Sequence, residues 1–388
     1  MHIYIFWKSD LARATAQVRA AKFLKAYGYR VSMVVAASTE KLTAALAKNG
    51  IGVEVLGGYP GFQSSQTMRL WCLATFWVRV LRWWLCAREA DGKIIMGSLE
   101  TAAALFPFLL WEPFVVFVQE LYDREPRWRF FRKAVLRRAS LVIVPTYFRA
   151  ALLRYWCGLP TTPFVLENRP SEADPGAPVS DSARQAVGII RAARTGGKRV
   201  LLYQGNIDLR ERDLLPVAEA CYILRDKWVF ALLGDDYNSV QTLQSACPSL
   251  IYLGRLESHE HLSVTAECDV GVVSYRWDSL NTLFCAPNKT WEYSKFAKPM
   301  LSNDVPALAA IMERFHCGIS VDFHRPHDLE RALENLTAGF EAYSEGSSSY
   351  YHSCNEKEVA LSLATEIGRT LGGVGRSTPP VLTREAVQ

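Results

Sequence analysis

The chain has 388 residues, 49% hydrophobic and 21% charged, a globular balance that excludes a disordered or fibrous protein and holds two domains of ordinary size. The net charge of +5 hides a division: residues 1–170 carry 23 Lys+Arg against 11 Asp+Glu, and the remainder 21 against 28. The basic half calls for an anionic partner. Its cations are mixed with large apolar side chains, which favours an anionic membrane face over nucleic acid.

In chain order, the first half alternates strand and helix, the pattern of a parallel sheet covered on both faces. "HIYIF", "RVSMVVAA", "GVEVLGG", "KIIMGS", "FVVFVQ", "LVIVPT" and "PFVLENRP" read as strands. Helices are expected at 12–27, 39–49, 127–138 and 148–156. "MRLWCLATFWVRVLRWWLCAR" reads as a further helix, with Leu70, Trp77, Leu81, Trp84 and Leu85 near one stripe and arginines around it. Such a helix suits either a core or the interface of an anionic bilayer. No run of about 20 uncharged apolar residues is present. "MHIYIFW" enters a strand without a basic leader. The nine cysteines form neither a zinc pattern nor a disulfide framework, so a reducing cytoplasm is expected.

Residues 171–197 are rich in Pro, Gly, Ser and Asp and read as a linker with one helix inside it. The alternation resumes in "RVLLYQG", "WVFALLG", "SLIYLG", "VGVVSY", "PMLSN" and "GISVD". Two doubly wound, Rossmann-like domains follow, 1–170 and 198–353, facing a cleft. A closing amphipathic helix at 354–371 and a disordered tail at 372–388 complete the chain.

Ligands of open α/β sheets sit beyond the carboxyl ends of strands. Gly205 and Asn206 follow one such strand, with Arg210 and Arg212 ahead of a helix, where two cations need an anion. Gly234 and Asp235 end the next strand. Gly254, Arg255 and Leu256 end a third, where backbone can read a base edge, and Tyr275 follows a fourth. "APNKTWEYSKFAKP" turns at a proline into a short helix. Its first turn, Asn288 and Lys289, presents free N–H groups to a phosphate, and Glu292 one turn on can accept from ribose hydroxyls. Paired acids in "LLGDDYN" also invite a metal reading. His259, His261, His324 and His327 read as structural. The dinucleotide fingerprint and the Walker pattern are missing.

On the first domain, Glu120 ends the buried strand "FVVFVQ". Apolar walls there would raise its pKa towards that of a general base. Asp123 and Asp10 are further carboxylates for the same catalytic role.

"APNKTWEYSKFAKP" followed by "LSNDVPAL" resembles the donor segment of bacterial GT-B glycosyltransferases, family-4-like and of the surface polysaccharide type. The flanking units from Lys198 to Leu336 agree in order. The resemblance implies a metal-independent transferase without a cofactor, in which Glu292 holds the ribose of a nucleotide-sugar donor, UDP-based in this family. Arg212 and Lys289 then hold its diphosphate. The acceptor is expected to be a lipid-linked or other saccharide hydroxyl at the inner membrane face. Phe284 departs from the pattern, standing eight positions before Glu292 where many retaining relatives carry a second Glu. A nucleotide-sugar 2-epimerase of the same fold and a non-catalytic partner protein are the alternatives.

Overall fold

The computed structural model describes residues 1–58, 66–124, 126–170, 180–194, 196–256 and 260–372. The chain divides into two compact units, Met1–Ser171 with Asn355–Gln388, and Glu172–Cys354. Each is built on one parallel sheet.

The first sheet consists of β1 (His2–Asp10), β2 (Arg30–Ala37), β3 (Gly52–Val55), β4 (Lys93–Met96), β5 (Phe114–Phe117), β6 (Leu141–Val144) and β7 (Phe164–Val165). Its spatial order is β3-β2-β1-β4-β5-β6-β7, so the chain winds outward from β1 in both directions. Ile3 and Ile5 of β1, Val31 and Met33 of β2, Val115 and Phe117 of β5 are essentially inaccessible to solvent. Burial on both faces is why these strands are short continuous apolar runs.

The last described helix, Glu356–Leu371, belongs to this unit. Its Leu363, Ala364 and Ile367 join Ala20, Ala21 and Leu24 in one core. Glu356 at its start receives two buried arginines: Arg19 Nη2 at 2.7 Å and Arg169 Nε at 3.2 Å.

The tryptophan-rich segment is a helix, Gln66–Cys86, but its buried face is not the expected stripe. Among the described residues of this helix Phe76, Val80 and Trp83 are buried, while Leu85 is 73% exposed and Trp71 68%. The Trp83 ring meets Tyr4 edge-on at 4.8 Å and Phe6 at 5.2 Å, and its N–H donates to Glu54. Trp77 and Trp84 flank that face and pack against Phe108. The side chain of Leu70 lies outside the described residues. An almost wholly apolar helix offers several stripes, and the partner on the sheet selects one.

The second sheet consists of β8 (Arg199–Gln204), β9 (Trp228–Leu233), β10 (Ile251–Tyr252), β11 (Val270–Val273), β12 (Met300–Asn303) and β13 (Gly318–Val321), in the order β10-β9-β8-β11-β12-β13. The helix Asp181–Ala193, inside the segment read as linker, is part of this unit: Ala186 and Ile190 are buried in its core. Ser180 caps that helix, and its backbone and hydroxyl both donate to Glu260.

One close approach positions the region of interest. The helix Asn288–Lys295 lies across the sheet with Tyr293 over Gly271 of β11, where a Cβ would come within 2.3 Å of the ring. The Tyr293 hydroxyl donates to Leu202 O at 2.9 Å. Gly271 lets the helix descend, and the phenol fixes its rotation.

Candidate active site

At the carboxyl ends of β8, β9 and β11, the second unit encloses a cavity of about 330 Å³. Gly205, Asn206, Gly234, Asp235, Arg255, Leu256 and Tyr275 line it from the strand ends. Pro287, Asn288, Lys289 and Glu292 line it from the helix Asn288–Lys295, and Gln204, Leu233 and His261 complete the wall.

Backbone shape makes the floor. Gly205 and Gly234 both have positive φ, and a Cβ on Gly234 would lie 2.0 Å from Gly205 O. A Cβ on Gly205 would meet Lys289 Cε and Nζ at 2.8 Å. The two glycines therefore let adjacent strand ends close up and leave room for an ammonium above them. Gly254 does not line the cavity, but its carbonyl accepts from Gly234 N at 2.8 Å and holds that turn. Asn303 fixes the next loop, accepting from Tyr275 N and donating to Tyr275 O.

Charge is concentrated on one side. Pro287 begins the helix without a side-chain cap, and Pro287, Asn288 and Lys289 all line the cavity, which brings the positive end of the helix dipole to its wall. Lys289 is half-buried there, its Nζ 5.4 Å from the centre of the Tyr203 ring. Burial first, and then the Arg212 guanidinium, push its pKa down to about 8. No ion pair to Lys289 forms among the described residues. Arg212 does not line the cavity itself. Its guanidinium stacks on the Tyr275 ring at 4.4 Å, its side chain is 13% exposed, and its Nε is buried without a partner.

Arg210 is not brought to the cavity. Its side chain is 80% exposed and forks onto Asp208, with Nε and Nη2 at 3.0 and 2.7 Å from the two carboxylate oxygens. The anion this arginine calls for is Asp208, whose pKa is lowered first by that hydrogen bond. Asp235 faces Arg255 at 3.5 Å. Asp236 caps the helix Val240–Ala246, accepting from Ser239 N and Val240 N. The two acids of "LLGDDYN" thus have separate local partners.

One turn after Lys289 on the same helix stands Glu292, its side chain 12% exposed. Gln204 Nε2 donates to its Oε2 at 2.6 Å, and His261 Nε2 lies 3.5 Å from its Oε1. Burial works against the charge, but His261, Lys289 and Gln204 outweigh it and the carboxyl pKa is lowered. Gln204 is itself oriented, since its Oε1 accepts from the Thr265 hydroxyl at 2.7 Å. A cavity with a buried carboxylate at one end, and an ammonium and a helix N-terminus beside it, suits a diol joined to a phosphate.

Two residues here escape the sequence reading. His261, read as structural, is a wall of the cavity, and Gln204 had no role. The signal was their place at a helix start and a strand end. His259 lies outside the described residues. His324 Nε2 lies 3.6 Å from Asp213, and Phe284 caps the short helix Leu280–Leu283.

Glu120, Asp123 and Asp10 belong to the first unit. Glu120 lies beyond β5 with a side chain 53% exposed, 3.8 Å from the buried Arg149, so the expected apolar walls are replaced by water and a guanidinium. Asp10 caps a turn, accepting from Ala12 N at 3.0 Å. Asp123 is half-buried in a turn, next to Tyr122 with φ of 51°.

No protein-family model and no curated protein matches the chain. Solved structures do. HepE from Anabaena, in complex with UDP-glucose, superposes with a TM-score of 0.68 at 15% identity, over 96% of this chain and 99% of that one. The sucrose-phosphate synthase of Thermosynechococcus elongatus gives 0.71 at 15% identity over 96% and 99%. WaaG, a glycosyltransferase involved in lipopolysaccharide biosynthesis, gives 0.60 at 14% over 96% and 100%. At such identities the likeness is one of fold, and the fold is that of the GT-B glycosyltransferases.

Proposed function

We propose that this chain is a glycosyltransferase that moves a sugar from a nucleoside-diphosphate donor, uridine-based, to an acceptor hydroxyl. The observation that carries the reading is the second unit's cavity, where the largely buried Glu292 and the half-buried Lys289 stand one turn apart on one helix. HepE, of the same fold, has been seen with UDP and with UDP-glucose. Glu292 takes the ribose diol. Lys289, with Arg212 beside it and the helix N–H groups, takes the diphosphate. Those cations also stabilise the charge that grows on the leaving diphosphate as the glycosidic bond breaks, which lowers the barrier without a proton transfer at that end. On the first unit, Glu120 is assigned to the acceptor hydroxyl, held by Arg149.

The acceptor we favour is lipid-linked and met at the inner face of a membrane, as in surface polysaccharide assembly. Residues 126–166 contain eight Lys+Arg and no acid. Phe130, Tyr147 and Tyr155 in that stretch are 83%, 77% and 86% exposed. No helix among the described residues is long and apolar enough to cross a membrane.

The test is turnover of UDP-sugars with and without lipid-linked saccharide, together with calorimetric UDP affinity. A hydrogen bond to a charged group contributes about 1.5–3 kcal/mol, so Glu292→Ala and Arg212→Ala each weaken UDP at least about tenfold. Unchanged affinity in both variants removes the donor assignment. Conversion of a UDP-sugar without acceptor would favour the epimerase reading.

A further inference from the structure

The second polar wall of the cavity is a histidine that the donor reading leaves without a task. His261 opens the helix His261–Glu267, and its backbone is tied down on two sides. Its carbonyl lies 3.0 Å from the Thr265 hydroxyl, whose one proton it shares with the closer Gln204 Oε1, and the preceding Glu260 accepts two hydrogen bonds from Ser180. The ring leans from this fixed base over Glu292.

A buried carboxylate needs donors on both oxygens, and an unsatisfied one swings towards whatever donor it finds. Oε2 is held by Gln204, whose amide cannot turn round because Thr265 already donates to its other end. Oε1 has one side-chain donor in reach among the described residues, His261 Nε2, at the 3.5 Å limit of a hydrogen bond. The other cation near Glu292 is Lys289, which bears on it through its charge and makes no ion pair with it. Without His261, Oε1 is free to turn towards that ammonium and away from the place a ribose takes.

Resting on the donor reading, we propose that His261 is a positioning residue for ribose recognition: with its proton on Nε2 it clamps Glu292 Oε1, so that both carboxylate oxygens face the 2′- and 3′-hydroxyls. It acts through Glu292 and not on the diphosphate. Apo hydrogen bonds of this kind are long and shorten when the ligand completes the site.

The experiment measures calorimetric affinities of the full chain for UDP and for 2′,3′-dideoxy-UDP, in wild type, His261→Ala, His261→Gln and Glu292→Ala. The amide of His261→Gln puts an N–H close to the position of Nε2. The expected result is a loss of about fivefold to tenfold for UDP in His261→Ala, consistent with one hydrogen bond. Most of it returns in His261→Gln, and dideoxy-UDP binds wild type and both His261 variants alike. That last comparison also reports that the variants are folded. Equal losses for both nucleotides in His261→Ala, or no loss for either, overturn the clamp while Glu292→Ala still discriminates ribose and the donor reading stands. If Glu292→Ala leaves the preference for UDP over its dideoxy analogue unchanged, the donor reading fails and the clamp falls with it.

Discussion

Lys289 shows most directly how one residue can oppose stability and serve binding. Its pKa falls from 10.5 to about 8, so the folded protein holds that proton less tightly than the unfolded chain. A lysine so depressed costs stability below pH 8, in full. The cost shrinks as pH rises from about 8 to 10.5 and is gone above, since there the group is neutral in both states. The shift corresponds to a cost on the order of 3 kcal/mol. Lys289→Met is therefore expected to raise the melting temperature of the unliganded protein at pH 7, by an increment that fades towards pH 10.5. Binding a diphosphate needs the ammonium, so UDP affinity should fall above pH 8, by up to about tenfold per unit. Calorimetry between pH 7 and 9.5 checks this; a flat profile, or the same slope in Lys289→Met, would contradict it. On the first unit, Glu120→Gln keeps the shape but removes the basic oxygen. It should cut turnover by about 10²–10⁴ with UDP affinity unchanged. Near-normal turnover would move the role to Asp10 or Asp123. At this scale the sequence was a partial guide. Arg210 and Arg212 stand two positions apart and look alike in a string of letters. Asp208, two positions earlier, takes the first, and only the fold puts the Tyr275 ring under the second. His261 escaped for a similar reason, because its partner is 31 positions away on another helix.

Elements were far more legible, because burial writes directly into composition. The thirteen strands among the described residues stand on the short apolar runs read from the sequence, many of them closed by Gly, Asn, Ser or Pro. What periodicity could not decide was the face of the helix Gln66–Cys86, whose contact with Tyr4, Phe6 and Glu54 is non-local. The helix Glu356–Leu371 was visible as an amphipathic stretch, but its anchor was not. Two arginines, side chains 2% and 6% exposed, converge on Glu356, which is 35% exposed. Removing the carboxylate leaves two guanidinium groups buried without it, a worse state than an intact pair. Glu356→Ala should cost about 2–3 kcal/mol, below the roughly 3–5 kcal/mol of fully buried pairs because Glu356 is itself partly solvated. Denaturant titration measures it. A loss below 0.5 kcal/mol would mean that the apolar contacts of Leu363, Ala364 and Ile367 hold the helix by themselves.

For the whole molecule, charge is distributed by unit and not by motif. Residues 1–170 carry a surplus of cations and the rest a surplus of acids, a division that was legible without any structure. What the structure adds is which aromatic side chains meet water. Trp71, Trp111, Phe130, Tyr147 and Tyr155, all in the first unit, are between 68% and 86% exposed. Single exposed apolar residues are ordinary, but five large exposed rings in the unit that carries the surplus of cations match the chemistry of an anionic bilayer interface. Each Lys or Arg near such a surface contributes about 1 kcal/mol, and the contribution falls with salt. The protein should therefore sediment with vesicles containing phosphatidylserine at low salt, release at high salt, and ignore neutral vesicles. Reversing Arg129 and Lys133, both exposed and one turn apart on the helix Pro126–Arg138, removes about 2 kcal/mol or more and weakens partitioning at least about thirtyfold. UDP affinity should be untouched by that change, since the cavity lies in the other unit. Equal sedimentation with neutral and anionic vesicles, or none with either at low salt, would make the acceptor a soluble saccharide and leave the exposed rings to a protein partner or to the acceptor itself.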